Sequence, residues 1–395
     1  MAIDNKDKKV LKSSIEREQN EVACSAECEK IKGSKNLNVP HLRFPEFTEE
    51  WVNVSLKDVA DFQKERISSG LLDESTYIST ENILQNFQGV QSAISIPANT
   101  NVVAYKKNDI LLSNIRPYLK KAWFSDRIGG CSADVFVLRS KTCEPEFLYN
   151  VIASDKFINY VMSGAKGVKM PRGDKNQMES FSFSIPAVVE QRKISRLFQL
   201  LDERIVTQNK IIEKLQSLIK GIAQNVARNN KPNIRLSECL ECSSSTLQES
   251  DVCKNGTYPV YGANGIVGYL DNYNTEKEAV YIIKDGSGVG TVSYVTGKCS
   301  ATGTLNTLQA KEGYSLQYLY YMLKVFNFEP YKTGMAIPHI YFKDYGKAKI
   351  FCPSYTEQLK YARLLSAIDN KLSAEQSILT DLSLQKQYLL RQMFI

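Results

Sequence analysis

"EQRKISRLFQLLDERIVTQN" (residues 190–209) and "EQLKYARLLSAIDNKLSAEQ" (residues 357–376) are two versions of one helical phrase in a chain of 395 residues. Pro186 and Pro353 precede the two stretches at equal distance, so both align without a gap at an offset of 167 residues. The chain therefore repeats a long segment of itself, and this repeat decides the fold.

Apolar residues recur every three or four positions along both stretches, which is typical of one face of a long amphipathic helix. Each helix is expected to run over roughly 35 to 40 residues, or about 50 to 60 Å. Because burying one Leu or Ile side chain contributes about 1.5–3 kcal/mol, we expect the two apolar faces to pair as a coiled coil. The predicted seam comprises Ile194, Leu197, Leu201, Ile205, Ile212, Leu215 and Ile222, aligned with Tyr361, Leu364, Ile368, Leu372, Leu379, Leu382 and Leu389.

Polar residues interrupt both apolar series at the same place. They are Gln208 and Asn209 in the first helix and Glu375 and Gln376 in the second. A polar layer inside the seam would fix the helix register at some cost in stability. The alternative is that these residues face solvent, and the sequence leaves both interpretations open.

The repeat also extends upstream of the helices. The segment from Gly167 aligns with that from Gly334 at the same offset, and Cys131-Ser132-Ala133 matches Cys299-Ser300-Ala301 at a slightly different one. Short β-rich runs separated by turn residues fill the remainder of each half. We therefore predict an α+β fold with an internal pseudo-two-fold repeat, in which two β-rich globular domains are each followed by a long helix. The predicted order is a flexible tail (1–37), a first domain (38–184), a central helix (185–230), a second domain (231–351) and a C-terminal helix (352–395).

Composition limits the class of protein. The net charge of +7 is spread along the chain, which suits a phosphate-facing surface without requiring one. Nine cysteines and no apolar signal segment favour a reducing cytoplasm over a disulfide framework. The chain lacks a run of about 18 apolar residues, so no membrane span is expected.

With these features, the sequence closely resembles the specificity subunit of a type I restriction-modification system over residues 38–395. The resemblance lies in the domain order and in a set of short stretches. These are NVPHLRFPEFTEEW (38–51), NDILLSNIRPYLKKAWF (108–124), YPVYGANGIVGY (258–269), KDGSGVGTV (284–292), TGMAIPHIYFKD (333–344) and IFCPSYTEQ (350–358).

The resemblance implies a function and a set of partners. It implies two target-recognition domains, each reading one half of a bipartite double-stranded DNA site, with the two helices forming an antiparallel coiled coil that sets the spacer. It also implies two modification subunits that carry S-adenosylmethionine and methylate adenine, and restriction subunits that use ATP and Mg. Under this resemblance the chain itself binds no cofactor, acts as a scaffold and resides in the bacterial cytoplasm.

A search for catalytic motifs supports binding over catalysis. The sequence contains neither an Asn/Asp-Pro-Pro-aromatic methyltransferase signature nor a G-x-x-x-x-G-K-[ST] nucleotide loop. The glycines between Asp285 and Gly290 are expected in a hairpin turn, because no strand-turn-helix context surrounds them. A zinc site is the alternative use of some cysteines. It is disfavoured because the pairs are far apart, histidine is scarce and Cys239 stands where a core strand residue is expected. Those cysteines are Cys24, Cys28, Cys239, Cys242 and Cys253.

Candidate DNA contacts lie in loops where basic residues adjoin glycine or proline, since such loops let the backbone approach phosphate closely. In the first domain they are Arg116, Lys120, Lys121, Lys166, Lys169 and Arg172. In the second they are Lys284, Ser287, His339, Tyr341 and Lys343. Any one of them alone is also compatible with a solvated surface residue. Tyr258 and Tyr261 are expected in the core, with stacking on DNA as the alternative.

A rival hypothesis from another class is a coiled-coil adaptor whose two β-rich domains bind proteins rather than DNA. The basic loops and the resemblance weigh against it. We therefore expect a non-catalytic DNA-specificity subunit.

Overall fold

The structure is a computed structural model that describes residues 38–334 and 337–394. These residues form two compact units. Unit 1 contains residues 38–200 and 385–394, and unit 2 contains residues 201–334 and 337–384. The predicted flexible tail, residues 1–37, lies outside the described residues, together with Cys24 and Cys28.

Unit 1 consists of short strands and short helices followed by the first long helix. Its strands are β1 (Val52–Ser55), β2 (Ala60–Phe62), β3 (Arg66–Ser68), β4 (Tyr77–Ile78), β5 (Asn101–Tyr105), β6 (Ile110–Ser113), β7 (Ala122–Phe124), β8 (Gly129–Cys131), β9 (Val135–Ser140) and β10 (Ser182–Ile185). Its helices are α1 (Leu56–Val59), α2 (Pro145–Ile152), α3 (Asp155–Ser163), α4 (Lys175–Glu179) and the start of α5 (Val188–Arg228).

Unit 2 repeats this plan. Its strands are β11 (Ile234–Arg235), β12 (Leu240–Ser244), β13 (Tyr258–Gly262), β14 (Gly265–Leu270), β15 (Glu278–Ile283), β16 (Val292–Thr296), β17 (Ser300–Ala301), β18 (Leu305–Ala310) and β19 (Lys349–Ile350). Its helices are α6 (Leu236–Cys239), α7 (Leu316–Lys324), α8 (Phe342–Tyr345) and most of α9 (Tyr355–Gln392).

The sheets of the two units correspond. Unit 1 has a pair β1-β10, a sheet β2-β9-β6-β7 and a sheet β3-β5-β8-β4. Unit 2 has a pair β11-β19, a sheet β12-β18-β15-β16 and a sheet β14-β13-β17. In each unit one short strand pairs in parallel at the equivalent cysteine segment, Ile78 with Cys131 in unit 1 and Val260 with Ser300 in unit 2. The internal repeat is therefore a repeat of fold as well as of sequence.

Local sequence explains where several helices begin. Ser154 caps α3 by accepting a hydrogen bond from the Phe157 amide, and Ser315 caps α7 by accepting one from the Tyr318 amide. Asp174 caps α4 in the same way, because its side chain accepts hydrogen bonds from the Asn176 and Gln177 amides. These caps direct apolar side chains such as Phe157 and Tyr318 into the interior, where both are fully buried.

The two long helices run antiparallel, and each unit shows this separately. In unit 1 the start of α5 meets the end of the chain, where the rings of Phe198 and Phe394 lie 5.8 Å apart. In unit 2 the end of α5 and the start of α9 share one core, to which Val226 and Leu365 both belong. Pairing of the two apolar faces was predicted from their shared periodicity.

Most predicted seam residues turn inward. Ile194, Ile212, Leu372 and Leu382 are buried. Others are half-buried, and several of these pack against the unit 2 core. The half-buried residues are Leu201, Ile205, Leu215, Ile222, Tyr361, Ile368, Leu379 and Leu389.

One predicted layer is wrong by a single residue. Leu364 is 50% exposed and Leu197 is only half-buried, whereas their neighbours Leu365 and Phe198 are buried. Leu365 lies seven residues before Leu372, so it keeps the heptad spacing that holds side chains on one seam. One residue along a helix rotates a side chain by about 100°, which turns Leu364 away from the seam.

The polar layer lies inside the seam. Gln208 and Glu375 are both buried, and the Gln208 amide donates to the Glu375 carbonyl oxygen at 3.0 Å and to its carboxylate. Asn209 and Gln376 are exposed. Gln208 and Glu375 are equivalent residues of the repeat, 167 positions apart, so both helices contribute the same position to this layer. The predicted polar layer is therefore correct for Gln208 and Glu375, and the alternative of solvent exposure is correct for Asn209 and Gln376.

A buried glutamine fastens the start of each long helix to its own unit. In unit 1, Gln191 Nε2 donates to the Pro186 carbonyl at 2.8 Å and Oε1 accepts from the Glu144 amide at 2.8 Å. In unit 2, Gln358 makes the equivalent bonds at 2.9 Å to the Pro353 carbonyl and from the Ser315 amide. Each helix therefore leaves its unit in a defined direction.

Candidate nucleic-acid interface

The first basic loop of unit 1 follows strand β6. A single 3-10 turn, Pro117–Leu119, is flanked by two basic residues with left-handed backbone, Arg116 (φ 50°) and Lys120 (φ 53°). Non-glycine residues pay about 1–2 kcal/mol for this conformation. Strained backbone of this kind persists only where its surroundings hold it in place, and it is concentrated at functional sites.

The second basic loop of unit 1 is a narrow hairpin. Lys166 and Arg172 exchange two backbone hydrogen bonds of 2.9 Å, and the chain reverses between them. Gly167 has φ +98°, a conformation that disfavours any side chain, and a Cβ there would lie 3.2 Å from the Met170 carbonyl oxygen. This hairpin, residues 166–172, is called the unit 1 tip hairpin below.

Backbone hydrogen bonds join the two loops into one surface. The Arg116 amide donates to the Pro171 carbonyl at 2.8 Å, and the Gly173 amide donates to the Asn114 carbonyl at 3.0 Å. The two loops are about 50 residues apart in the chain, yet they form a single structural element. We call residues 114–121 with 166–173 the unit 1 basic surface.

Four of the six predicted basic side chains on this surface already have partners within unit 1. Lys120 pairs with Asp155 at 2.6 Å, Lys166 with Asp174 at 2.7 Å and Arg172 with Asp134 at 2.6 Å. Lys121 donates to the Thr80 carbonyl at 2.6 Å. The hydrogen bond from Lys120, aided by its positive charge, lowers the pKa of Asp155. A DNA phosphate would have to compete with these carboxylates.

Arg116 and Lys169 differ from the other four. Both are exposed, and neither side chain has a hydrogen-bond or ion-pair partner among residues 38–334 and 337–394. Their charges are therefore available to an external anion without breaking an internal bond. They are the two candidates of unit 1 best placed to contact phosphate.

Unit 2 uses the same backbone frame. The Gly286 amide donates to the Pro338 carbonyl at 3.0 Å, and the Ile340 amide donates to the Lys284 carbonyl at 2.9 Å. Thr333 and His339 exchange two backbone bonds of 2.9 and 2.7 Å, as Lys166 and Arg172 do in unit 1. Thr333, Pro338, His339 and Ile340 all stand at the repeat offset from their unit 1 counterparts.

The side chains on the unit 2 frame are different. His339 Nδ1 lies 2.6 Å from an Asp285 carboxylate oxygen, and Lys343 stacks over the Tyr341 ring at 5.2 Å. Ser287, Tyr341 and Lys343 are exposed, and Lys284 is half-buried. The backbone bonds thus bring the turn that carries Lys284 and Ser287 against the segment of His339, and Tyr341 and Lys343 follow directly in the chain. One frame carries two chemically distinct surfaces.

The remaining motifs have structural roles. Residues 285–290 form the turn between antiparallel strands β15 and β16, which confirms the predicted hairpin turn. Tyr261 is half-buried, packs near the Tyr281 ring at 5.7 Å and belongs to the edge of a core. Tyr258 is also half-buried and packs edge-on against Tyr273, with ring centroids 5.1 Å apart. Cys239 is fully buried, and burial raises the pKa of its thiol to about 12.

In the described ranges 38–334 and 337–394, no three His, Cys, Asp or Glu side chains are grouped to hold a metal ion. None of the helices in that part of the chain is long and apolar enough to cross a membrane.

Two kinds of residue were missed by the sequence reasoning. The first kind is the exposed apolar residue of the tip hairpin: Val168 is 100% exposed and Met170 is 46% exposed. The glutamines Gln191 and Gln358 hold each helix to its unit, and the shared Glu-Gln that opens both helical phrases was the available signal. No periodicity rule would have identified Val168, since only its exposure distinguishes it.

Comparison with known proteins agrees with this duplicated architecture. The family model for the type I restriction modification DNA specificity domain matches twice, over residues 48–217 and 232–383. Each match contains one basic frame and reaches into one long helix.

Individual relatives share shorter segments. The type I restriction enzyme EcoprrI specificity subunit of Escherichia coli is 28% identical over 112 residues, which cover 28% of this chain and 28% of that protein. The MjaVIII specificity subunit of Methanocaldococcus jannaschii is 27% identical over 194 residues, or 47% of this chain and 43% of that protein. The aligned part of the chain thus spans less than half the length of either relative.

A solved structure extends the likeness to the whole fold. The crystal structure of a type I restriction-modification system S subunit from M. genitalium matches with a TM-score of 0.63 at 18% identity, covering 90% of this chain and 99% of that one. Since the family model covers well over half of the chain, and does so once in each repeat, this chain belongs to the type I restriction modification DNA specificity domain family.

Proposed function

We propose that this chain is the DNA sequence-specificity subunit of a type I restriction-modification complex. Each unit reads one half of a bipartite double-stranded DNA site through its own basic surface. The observation that carries the proposal is the frame built twice, in which backbone bonds are repeated while the side chains they display differ. Such a frame suits two readers of unlike base sequences, because phosphate contacts position a protein and base contacts specify the site.

The helix pair sets the number of unread base pairs between the half-sites. Helices α5 and α9 each contribute to both units, so their pairing is common to the two readers. The Gln208 and Glu375 layer supports a single register, because a slipped pair would leave these polar groups buried without their partners.

The chemistry belongs to partner subunits in the bacterial cytoplasm. Two modification subunits bring S-adenosylmethionine, and restriction subunits use ATP and Mg. The target adenine is flipped out of the duplex into the modification subunit, since its amino group cannot be reached inside the stack. In this arrangement the chain is a scaffold that selects the adenine and performs no catalysis.

A protein-binding adaptor is the alternative from another class. The double match to a DNA specificity domain does not favour it. Neither does a surface on which Arg116 and Lys169 lack a partner among the residues that the structure describes.

Methylation mapping tests the proposed function. The chain is expressed with its modification subunits in a host lacking other adenine methylation, and methylated adenines are mapped across the genome. We expect one bipartite motif with a fixed gap. Exchanging residues 38–184 for those of another such chain should change one half-site only. Methylation without a bipartite motif, or a change in both halves after the exchange, would contradict the proposal.

A further inference from the structure

The unit 1 tip hairpin ends in an apolar side chain that is fully exposed among the described residues. Val168 is fully exposed, and Met170 beside it is 46% exposed. A single exposed valine is common on protein surfaces, so exposure alone does not indicate a function for Val168. Its position in the hairpin does. It stands at the extreme of a hairpin whose base is closed by four backbone hydrogen bonds: two between Lys166 and Arg172, and two to residues 114 and 116.

The repeat separates the frame of this hairpin from its tip. Gly167 and Gly334 occupy equivalent positions and both have positive φ, +98° and +89°. Pro171 and Pro338 accept equivalent bonds from the adjoining loop. Between glycine and proline the sequences differ, Val-Lys-Met in unit 1 and Met-Ala-Ile in unit 2. Selection for stability would act on the frame, whereas a differing tip on an equal frame indicates a side chain used for recognition.

Charge indicates what the tip meets. Lys169 adjoins Val168 in the chain, and Arg116 lies on the loop bonded to the hairpin; neither side chain has a partner within residues 38–334 and 337–394. An apolar side chain on the same surface as two exposed cations suits a DNA groove, where phosphates line both rims and apolar atoms lie on the floor. On the floor of the major groove the apolar group is the C5-methyl of thymine.

We propose that Val168 contacts a thymine methyl group in the major groove of the half-site read by unit 1, with Arg116 and Lys169 holding the flanking phosphates. This inference rests on the proposed function and names one determinant of its specificity. Val168 is thereby a specificity residue for a single T·A pair.

The test combines a protein substitution with a base substitution in the assembled methyltransferase. Binding is measured to the mapped site and to versions in which each thymine of the unit 1 half-site is replaced in turn by deoxyuridine, which lacks only the methyl group. For the natural chain, one such replacement should weaken binding about fourfold, the factor for about 0.8 kcal/mol per buried methyl-sized group. For Val168→Ser, the same replacement should have no effect.

A matched control is Ile128→Ser, which alters another exposed aliphatic side chain of unit 1, 70% exposed. It should keep the fourfold preference for thymine. If no deoxyuridine replacement affects the natural chain, or if Val168→Ser keeps the preference, the inference is overturned while the proposed function stands. An equal loss of binding to every sequence with Val168→Ser would indicate a wedge between bases and would also overturn it. If the assembled enzyme lacks any bipartite site, the proposed function itself fails.

Discussion

Replacing Gln191 by alanine should destabilise unit 1 far more than a surface glutamine substitution would. Gln191 is 2% exposed and joins three groups: the Pro186 carbonyl, the Glu144 amide and the Cys143 thiol. Alanine leaves the buried Pro186 carbonyl unpaired, at about 1–3 kcal/mol. It also removes the bond to the half-buried Glu144 amide, worth about 0.5–1.5 kcal/mol. The expected loss is about 1.5–4.5 kcal/mol in the free energy of unfolding.

Tryptophan fluorescence during urea unfolding measures this loss, because both tryptophans of the chain, Trp51 and Trp123, lie in unit 1. Trp51 is buried and packs edge-on against Phe147, with ring centroids 6.1 Å apart. The control is Gln199→Ala, since Gln199 is exposed on the same helix, where its side-chain oxygen accepts a hydrogen bond from Arg196 at 2.9 Å.

Comparison of the two variants separates the effect of the Gln191 hydrogen bonds from a general effect of losing a glutamine on this helix. Gln199→Ala should change the unfolding free energy by less than about 0.5 kcal/mol. If Gln191→Ala falls within the same range, the buried amide does not hold the helix to the unit, and the reasoning is refuted. In unit 2, Gln358 accepts the equivalent hydrogen bond from the Ser315 amide. Gln358→Ala should therefore speed hydrogen exchange at that amide.

Three further outcomes follow from particular contacts. Leu365→Ala should cost about 2–5 kcal/mol in urea unfolding while Leu364→Ala costs less than about 0.5, because only Leu365 is buried; equal losses would contradict the corrected seam. Hydrogen bonds from Lys371 and then Gln208 lower the pKa of Glu375, so its stabilising effect is present above the ordinary glutamate pKa and fades as pH falls through the folded value. The difference in unfolding free energy between the natural chain and Glu375→Gln should therefore shrink between pH 7 and pH 3, and a constant difference would refute it. Lys169→Ala should reduce the salt slope of DNA binding by about 0.9, and Lys120→Ala by less because Asp155 already neutralises Lys120; equal slopes would show that the internal ion pair is irrelevant.

The sequence alone was sufficient for the repeat, the two long helices and the family. Helical periodicity depends on neighbours three and four residues away, so it is visible in one dimension. It failed at Leu364 because Leu364 and Leu365 are both leucine, and Leu197 is followed by Phe198. Two adjacent apolar residues satisfy a loose three-or-four spacing equally well, and only packing against the partner helix decides which one is buried.

Only the tertiary structure showed that the two basic loops of unit 1 form one surface and which of their charges are paired. The sequence indicated both loops of unit 1, but their joining through Arg116 and Pro171 is a contact between segments about 50 residues apart. It likewise decided that Lys120, Lys166 and Arg172 are paired with carboxylates, whereas Arg116 and Lys169 have no such partner in the described part of the chain. Periodicity and composition are properties of neighbouring residues, whereas the availability of a charge or the exposure of Val168 depends on which distant groups the folded chain brings within reach.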